Sequence, residues 1–111
     1  MENKKYFLKN QEYYCPTQLA IEALSVKWKI MILYKLNHHK VLLYGELKKM
    51  MPKMSDKVLT QQLKELEDIK LVKRNIYQVI PPKVEYSLTE LGEKISPVLQ
   101  SLGEFGMNFT N

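Results

Sequence analysis

The sequence predicts a mainly helical α+β domain in which three or four helices lead into a β-hairpin and a closing helix. Three observations predict it. Apolar residues recur at helical spacing between Cys15 and Ile69. Val84, Tyr86 and Leu88 alternate with period two after a Pro81-Pro82 tip. Thr89, with Glu90 and Glu93 behind it, then opens a last helical pattern, the acids suiting the positive end of the helix. A chain of 111 residues fits one such domain, residues 1–111, with no room for a separate catalytic unit.

Taken in order, residues 1–14 are polar and aromatic by turns and read as an N-terminal arm. Cys15-Pro16-Thr17 starts a helix, because proline is favoured in a first turn, and Leu19, Ala20, Ala23 and Leu24 follow at helical spacing. From Lys27 to Leu36 a second helix carries Trp28, Met31, Ile32 and Leu36 on one side, widened by Ile30, Leu33 and Tyr34, and is expected to be central and buried. Asn37-His38-His39-Lys40 reads as a turn, Val41-Leu42-Leu43 as a short strand, and Tyr44, Leu47 and Met51 as a short helix ended by Pro52. Ser55 is a good N-cap for a fourth helix, residues 55–69. A strand from Val72 to Ile80 and its return at 84–88 make a hairpin over 72–88, and residues 89–110 make the closing helix, kinked at Pro97. This is the element order of a winged helix-turn-helix.

Seventeen basic against twelve acidic residues give a net charge of +5, which favours an anionic partner. Residues 41–86 hold nine of the basic groups and six of the acidic, whereas Lys94 stands against Glu90, Glu93 and Glu104 beyond Ser87. No apolar stretch approaches the ~18 residues of a membrane span, and the first residues lack a secretory signal's apolar segment. A cytoplasmic protein with no membrane partner is the expectation. A single cysteine excludes an internal disulfide, and His38-His39 without a second ligand cluster gives no metal site, so no metal or cofactor is expected. Cys15 with a histidine lacks a third orienting group, and no glycine-rich loop cradles phosphate, which argues against an enzyme.

The fourth helix carries the functional signal. Leu59, Leu63 and Leu66 form its apolar stripe, flanked by Val58 and Ile69. Lys57, Thr60, Gln61 and Lys64 collect on the opposite side, with Glu67 and Asp68 towards the far end, where they are expected to be held clear of a nucleic-acid backbone. A recognition helix enters the major groove by its N-terminal part, so Ser55, Lys57, Thr60, Gln61 and Lys64 are the expected DNA contacts. Gln62, at the edge of the stripe, is expected to hydrogen-bond within the protein. Arg74 at the base of the hairpin and Lys83 at its stiff tip add contacts to phosphate or the minor groove. The plain alternatives are a solvated amphipathic helix and a merely stabilising hairpin.

Several segments together resemble the HxlR-type winged helix-turn-helix regulators of bacteria. These are Cys15-Pro16, Lys27-Trp28-Lys29, Glu46-Leu47, the run from Leu59 to Leu66 (LTQQLKEL), and the run from Pro81 to Gly92 (PPKVEYSLTELG). The resemblance covers about Cys15 to Gly106. It implies a homodimeric transcriptional regulator that binds double-stranded DNA at an inverted-repeat operator, most often as a repressor and sometimes as an activator. It places the recognition helix at 55–69, with Thr60, Gln61 and Lys64 as its DNA face, and the wing at 72–88. Ser25-Val26 stands where the family often has a glycine pair, Gly45 where a larger polar residue is common, and His38-His39-Lys40 where the turn is commonly Gly-rich.

Leu91, Ile95, Val98, Leu102, Phe105 and Phe109 repeat at four- and three-residue spacings, a seam longer than a small domain needs for itself. With the aromatic arm (Tyr6, Phe7, Tyr13, Tyr14) it predicts a dimer built from the N- and C-terminal elements. Such a dimer leaves room for a small-molecule effector in its cleft. Cys15 falls at a helix start, where unpaired backbone N–H groups and the dipole stabilise a thiolate. Either it is a buried small hydrophobe or it senses oxidants or electrophiles, as several HxlR-type regulators do through a cysteine at this position. A winged helix that binds a protein and no DNA is the competing function.

Overall fold

The protein is described by a computed structural model covering residues 4–25 and 27–110; Met1–Asn3 of the expected arm and Val26 of the Ser25-Val26 departure lie outside the described residues. The arm is not irregular. Tyr6–Leu8 (β1) and Gln11–Tyr13 (β2) pair antiparallel, Tyr6 opposite Tyr13, around a turn in which Lys9 takes a positive φ of 55°. Tyr13 is buried, while Phe7 and Tyr14 are exposed.

Helix α1 spans Pro16–Ala23 behind Cys15 as N-cap, with proline in its first turn. Helix α2 runs Lys27–His39, three residues beyond the expected Leu36, and takes in His38 and His39. The turn is made by one residue, Lys40, at φ 72°, in the left-handed region that glycine usually fills. Ile32, Leu33 and Leu36 are buried as expected, but Met31 and Tyr34 face outwards, and Lys29 is buried in their place.

Strand β3 (Val41–Leu43) leads directly into α3 (Tyr44–Met50), whose start is tied by the Leu43 backbone N–H donating to Glu46 Oε1 at 2.8 Å. Helix α4 (Asp56–Asp68) is capped by Ser55, whose Oγ accepts from the Val58 N–H at 3.1 Å. Leu59, Leu63 and Leu66 are buried in the core with Leu47, Met51 and Met54. Gln62 is buried too, but its Oε1 has no hydrogen-bond partner among the described residues, so the expected internal bond is not made by that atom.

Helix α4 ends with Lys70 at φ 68° and the Leu71 N–H on the Leu66 carbonyl, a left-handed cap made without glycine. The hairpin follows as β4 (Val72–Tyr77) and β5 (Lys83–Leu88), so β4 stops three residues short of Ile80. The sheet order is β3-β5-β4, all antiparallel, with Arg74 opposite Tyr86 and Tyr77 opposite Lys83. Tyr86 and Leu88 point into the core, confirming the alternation.

The closing helix is broken in two. Helix α5 (Glu90–Glu93) is capped by Thr89, and α6 runs Ser96–Gly106 with Pro97 in its first turn, so the proline starts a new helix rather than kinking one. Thr89 Oγ1 donates to the Lys70 carbonyl at 2.6 Å and accepts from the Gly92 N–H at 2.9 Å, locking α5 onto the end of α4. Leu99 is the one buried residue of α6 and Ile95 packs on the domain's own core, whereas Leu91, Val98, Leu102, Phe105 and Phe109 are exposed. The radius of gyration is 15.7 Å, against about 13 Å for a compact chain of this length.

Candidate nucleic-acid interface

The outward face of α4 and the near strand of the hairpin enclose a groove of about 550 Å³, lined by Asp56, Lys57, Thr60, Gln61, Lys64, Glu67, Arg74 and Tyr86. Five of the seven expected contacts, Lys57, Thr60, Gln61, Lys64 and Arg74, thus share one surface. The core stripe of α4 fixes this: with Leu59, Leu63, Leu66 and the flanking Gln62 turned inwards, Lys57, Thr60, Gln61 and Lys64 fall on the opposite side. Ser55 is spent on capping, though its hydroxyl proton remains free to donate. Lys83 stands apart on the wing, at the start of β5.

Several of these groups have a polar neighbour, in some cases on another element. Tyr44 OH donates to Asp56 Oδ1 at 2.9 Å and lies 3.4 Å from Thr60 Oγ1, which ties α3 to the start of α4. Lys64 pairs with Asp68 at 3.5 Å and Arg74 with Glu67 at 3.8 Å. Glu67 therefore lines the groove beside Arg74. Lys57 and Lys83 make no ion pair among the described residues. The tip of the wing is apolar, with Ile80 fully exposed beside Pro81 and Pro82.

Behind the face lies an ion pair between a buried lysine and a half-buried carboxylate. Lys29 Nζ, from the first turn of α2, donates to Glu65 Oε1 at 2.7 Å, and Glu65 Oε2 accepts from Gln61 Nε2 at 3.2 Å. The Lys29 hydrogen bond, opposed by partial burial, holds the Glu65 carboxyl below the usual carboxylate range. Burial pushes the Tyr86 phenol at the back of the groove up, opposed by Arg74, so it stays a neutral hydroxyl. A second hollow of about 610 Å³ opens between the N-terminal hairpin, the end of α1 and the Lys29–Glu65 pair.

Cys15 is exposed at the head of α1 and makes no capping bond, so it is not a buried hydrophobe. Among the described residues no group of three or more His, Cys, Asp or Glu could hold a metal. No described helix is long and apolar enough to cross a membrane.

The HxlR-like helix-turn-helix family matches residues 23–111. The chain belongs to that family. The HxlR-like chain is 40% identical over 111 residues to the HTH-type transcriptional regulator YtcD of Bacillus subtilis, covering 100% of this chain and 82% of that one. Its fold is similar to a crystal structure from Porphyromonas gingivalis W83 described as a MarR-family transcriptional regulator, with a TM-score of 0.81 and 38% identity over 86% of this chain and 93% of the other. It is also similar to the redox regulator HypR in its oxidized form, at a TM-score of 0.79 and 33% identity, covering 87% of this chain and 99% of HypR. The HxlR-like chain is thus a helix-turn-helix transcriptional regulator with a winged-helix fold, in a family of regulators and not of enzymes.

Proposed function

We propose that the protein is a homodimeric, sequence-specific repressor that binds an inverted repeat in double-stranded DNA through α4 and the wing. The observation that carries this is the groove in which Lys57, Thr60, Gln61 and Lys64 face outwards beside Arg74. Thr60 and Gln61 read base edges in the major groove, and the lysines hold phosphates. The exposed α6 residues and the exposed apolar side chains of the N-terminal elements cover one another between two subunits. The two α4 helices then lie about one DNA turn (~34 Å) apart.

Substitution separates the two kinds of contact. Gln61→Ala is expected to relax preference at one position per half-site, by about 1–3 kcal/mol, with the rest of the site still read. Lys83→Ala is expected to weaken binding on every sequence alike and to lower the salt slope by about 1. Anisotropy titrations on single-base operator variants at several salt concentrations measure both. Unchanged specific affinity in Gln61→Ala would place the recognition face elsewhere.

The exposed, uncapped thiol of Cys15 at the head of α1 supports a redox or electrophile response, and the similarity to the redox regulator HypR favours it. Modification beside the N-terminal elements would shift the spacing of the two α4 helices. Diamide, which takes two hydrogens as it joins Cys15 in a disulfide to the partner subunit's Cys15 or to an added small thiol, is expected to weaken operator binding of the wild type and to leave Cys15→Ser unaffected, while the reduced forms bind equally. Equal loss in both would exclude the thiol. A response to neither would point to a small-molecule effector in the dimer cleft.

A further inference from the structure

Gln61 is held by a device that reaches from the interior to the DNA-facing surface. Lys29 is buried at 6% exposure, and its ammonium is fixed on one oxygen of Glu65, 36 positions along the chain. The other oxygen of that carboxylate takes the Gln61 amide nitrogen. A carboxylate only accepts, so the Gln61 side chain must turn its nitrogen towards Glu65. Its carbonyl oxygen and remaining N–H are then left for a ligand in a fixed order.

We propose that the Lys29–Glu65 pair positions the Gln61 amide, and thereby makes this residue a reader of adenine. Adenine offers a donor (N6) beside an acceptor (N7) in the major groove, the complement of an amide oxygen beside an N–H. Guanine offers two acceptors, which suit an amide turned the other way. The proposal rests on the base-reading role given to Gln61 above. Lys29 and Glu65 touch no base; they act through Gln61.

Glu65→Gln tests the geometry directly. Lys29 claims the oxygen of the new amide, so its nitrogen faces Gln61. Gln61 must then turn its own oxygen inwards and present two N–H donors. Sites are selected from a randomised duplex library with the wild type, and each base pair of the selected site is replaced in turn. The expected result is that wild type prefers adenine at one position per half-site by about tenfold, and that Glu65→Gln moves the preference at that position to guanine. Should Glu65→Gln fold poorly, the double variant Lys29→Met/Glu65→Met removes both charges with no change in net charge, an exchange buried pairs often tolerate. It is expected to flatten the preference at that one position and to bind scrambled DNA as before.

The outcomes are distinct. If Gln61→Ala relaxes that position while both Glu65 variants keep adenine, positioning is wrong and base reading stands. Gln61→Ala without effect at any position overturns both. Uniform weakening across the site in the Glu65 variants marks the pair as structural only, and a wild-type preference for guanine contradicts the assigned orientation.

Discussion

Leu102→Asp is expected to give monomers with much weakened operator binding. Leu102 is 46% exposed in the single chain and sits with Val98 and Phe105 on a helix that buries only Leu99 in its own domain, with Phe109 exposed just beyond its end. In a two-fold interface the substitution is present twice. Only the half of each leucine still exposed in the single chain is lost to the interface, about 0.7–1.5 kcal/mol each, which weakens dimerisation by about ten- to a hundredfold before any cost of burying carboxylates. A monomer engages one half-site and loses most of the specific affinity. Sedimentation velocity with anisotropy on the same samples measures both effects; an unaltered dimer would remove α6 from the interface.

Gly92→Ala is expected to be the most destabilising single methyl addition in the chain. A Cβ at Gly92 would run into the backbone carbonyl of Leu71. That carbonyl already accepts the Thr89 N–H, and the Lys70 carbonyl beside it takes the Thr89 hydroxyl, so neither side can yield without breaking the α4–α5 junction. Overpacking against backbone of this kind costs about 3 kcal/mol, or roughly 10 °C in Tm for a domain of this size. Gly45→Ala is the matched control, because a Cβ there meets nothing within 4 Å. Inside helix α3 it should be neutral or stabilising by up to about 1 kcal/mol. Thermal unfolding by circular dichroism compares the two; equal melting temperatures would deny the close contact.

This contact also gives the Thr89-to-Gly92 segment a physical reason. Threonine caps α5 and tethers it to Lys70, and glycine lets α5 lie on the Leu71 carbonyl. Such local signals made much of the fold legible. The Ser55 cap, the leucine stripe of α4 and the alternation of β5 all depend on neighbours within a few residues. Boundaries set by an unusual residue were not legible. Helix α2 overran its expected end because Lys40 takes the conformation that glycine normally marks, and the closing helix divided because Pro97 suits a first turn better than a kink.

Within the candidate site, periodicity assigned faces but not partners. It put Lys57, Thr60, Gln61 and Lys64 on one surface, but it gave Lys29, known in the sequence only from the Lys27-Trp28-Lys29 segment, no partner. Its burial is decided by Glu65, on another helix. The same holds for Tyr44 on Asp56, and for Glu67 drawn into the groove by Arg74 across the α4–β4 junction. Spacing along one helix carries no information about such contacts.

Competition binding of the purified protein to genomic fragments against scrambled duplex, at two salt concentrations, tests the central claim. A regulator that reads DNA through the α4–wing groove should hold a discrete set of fragments at least about a thousandfold more tightly than scrambled DNA. Affinity for both should fall steeply as salt rises. Equal, weak binding to every fragment would contradict the account and leave the groove as a surface for a protein partner.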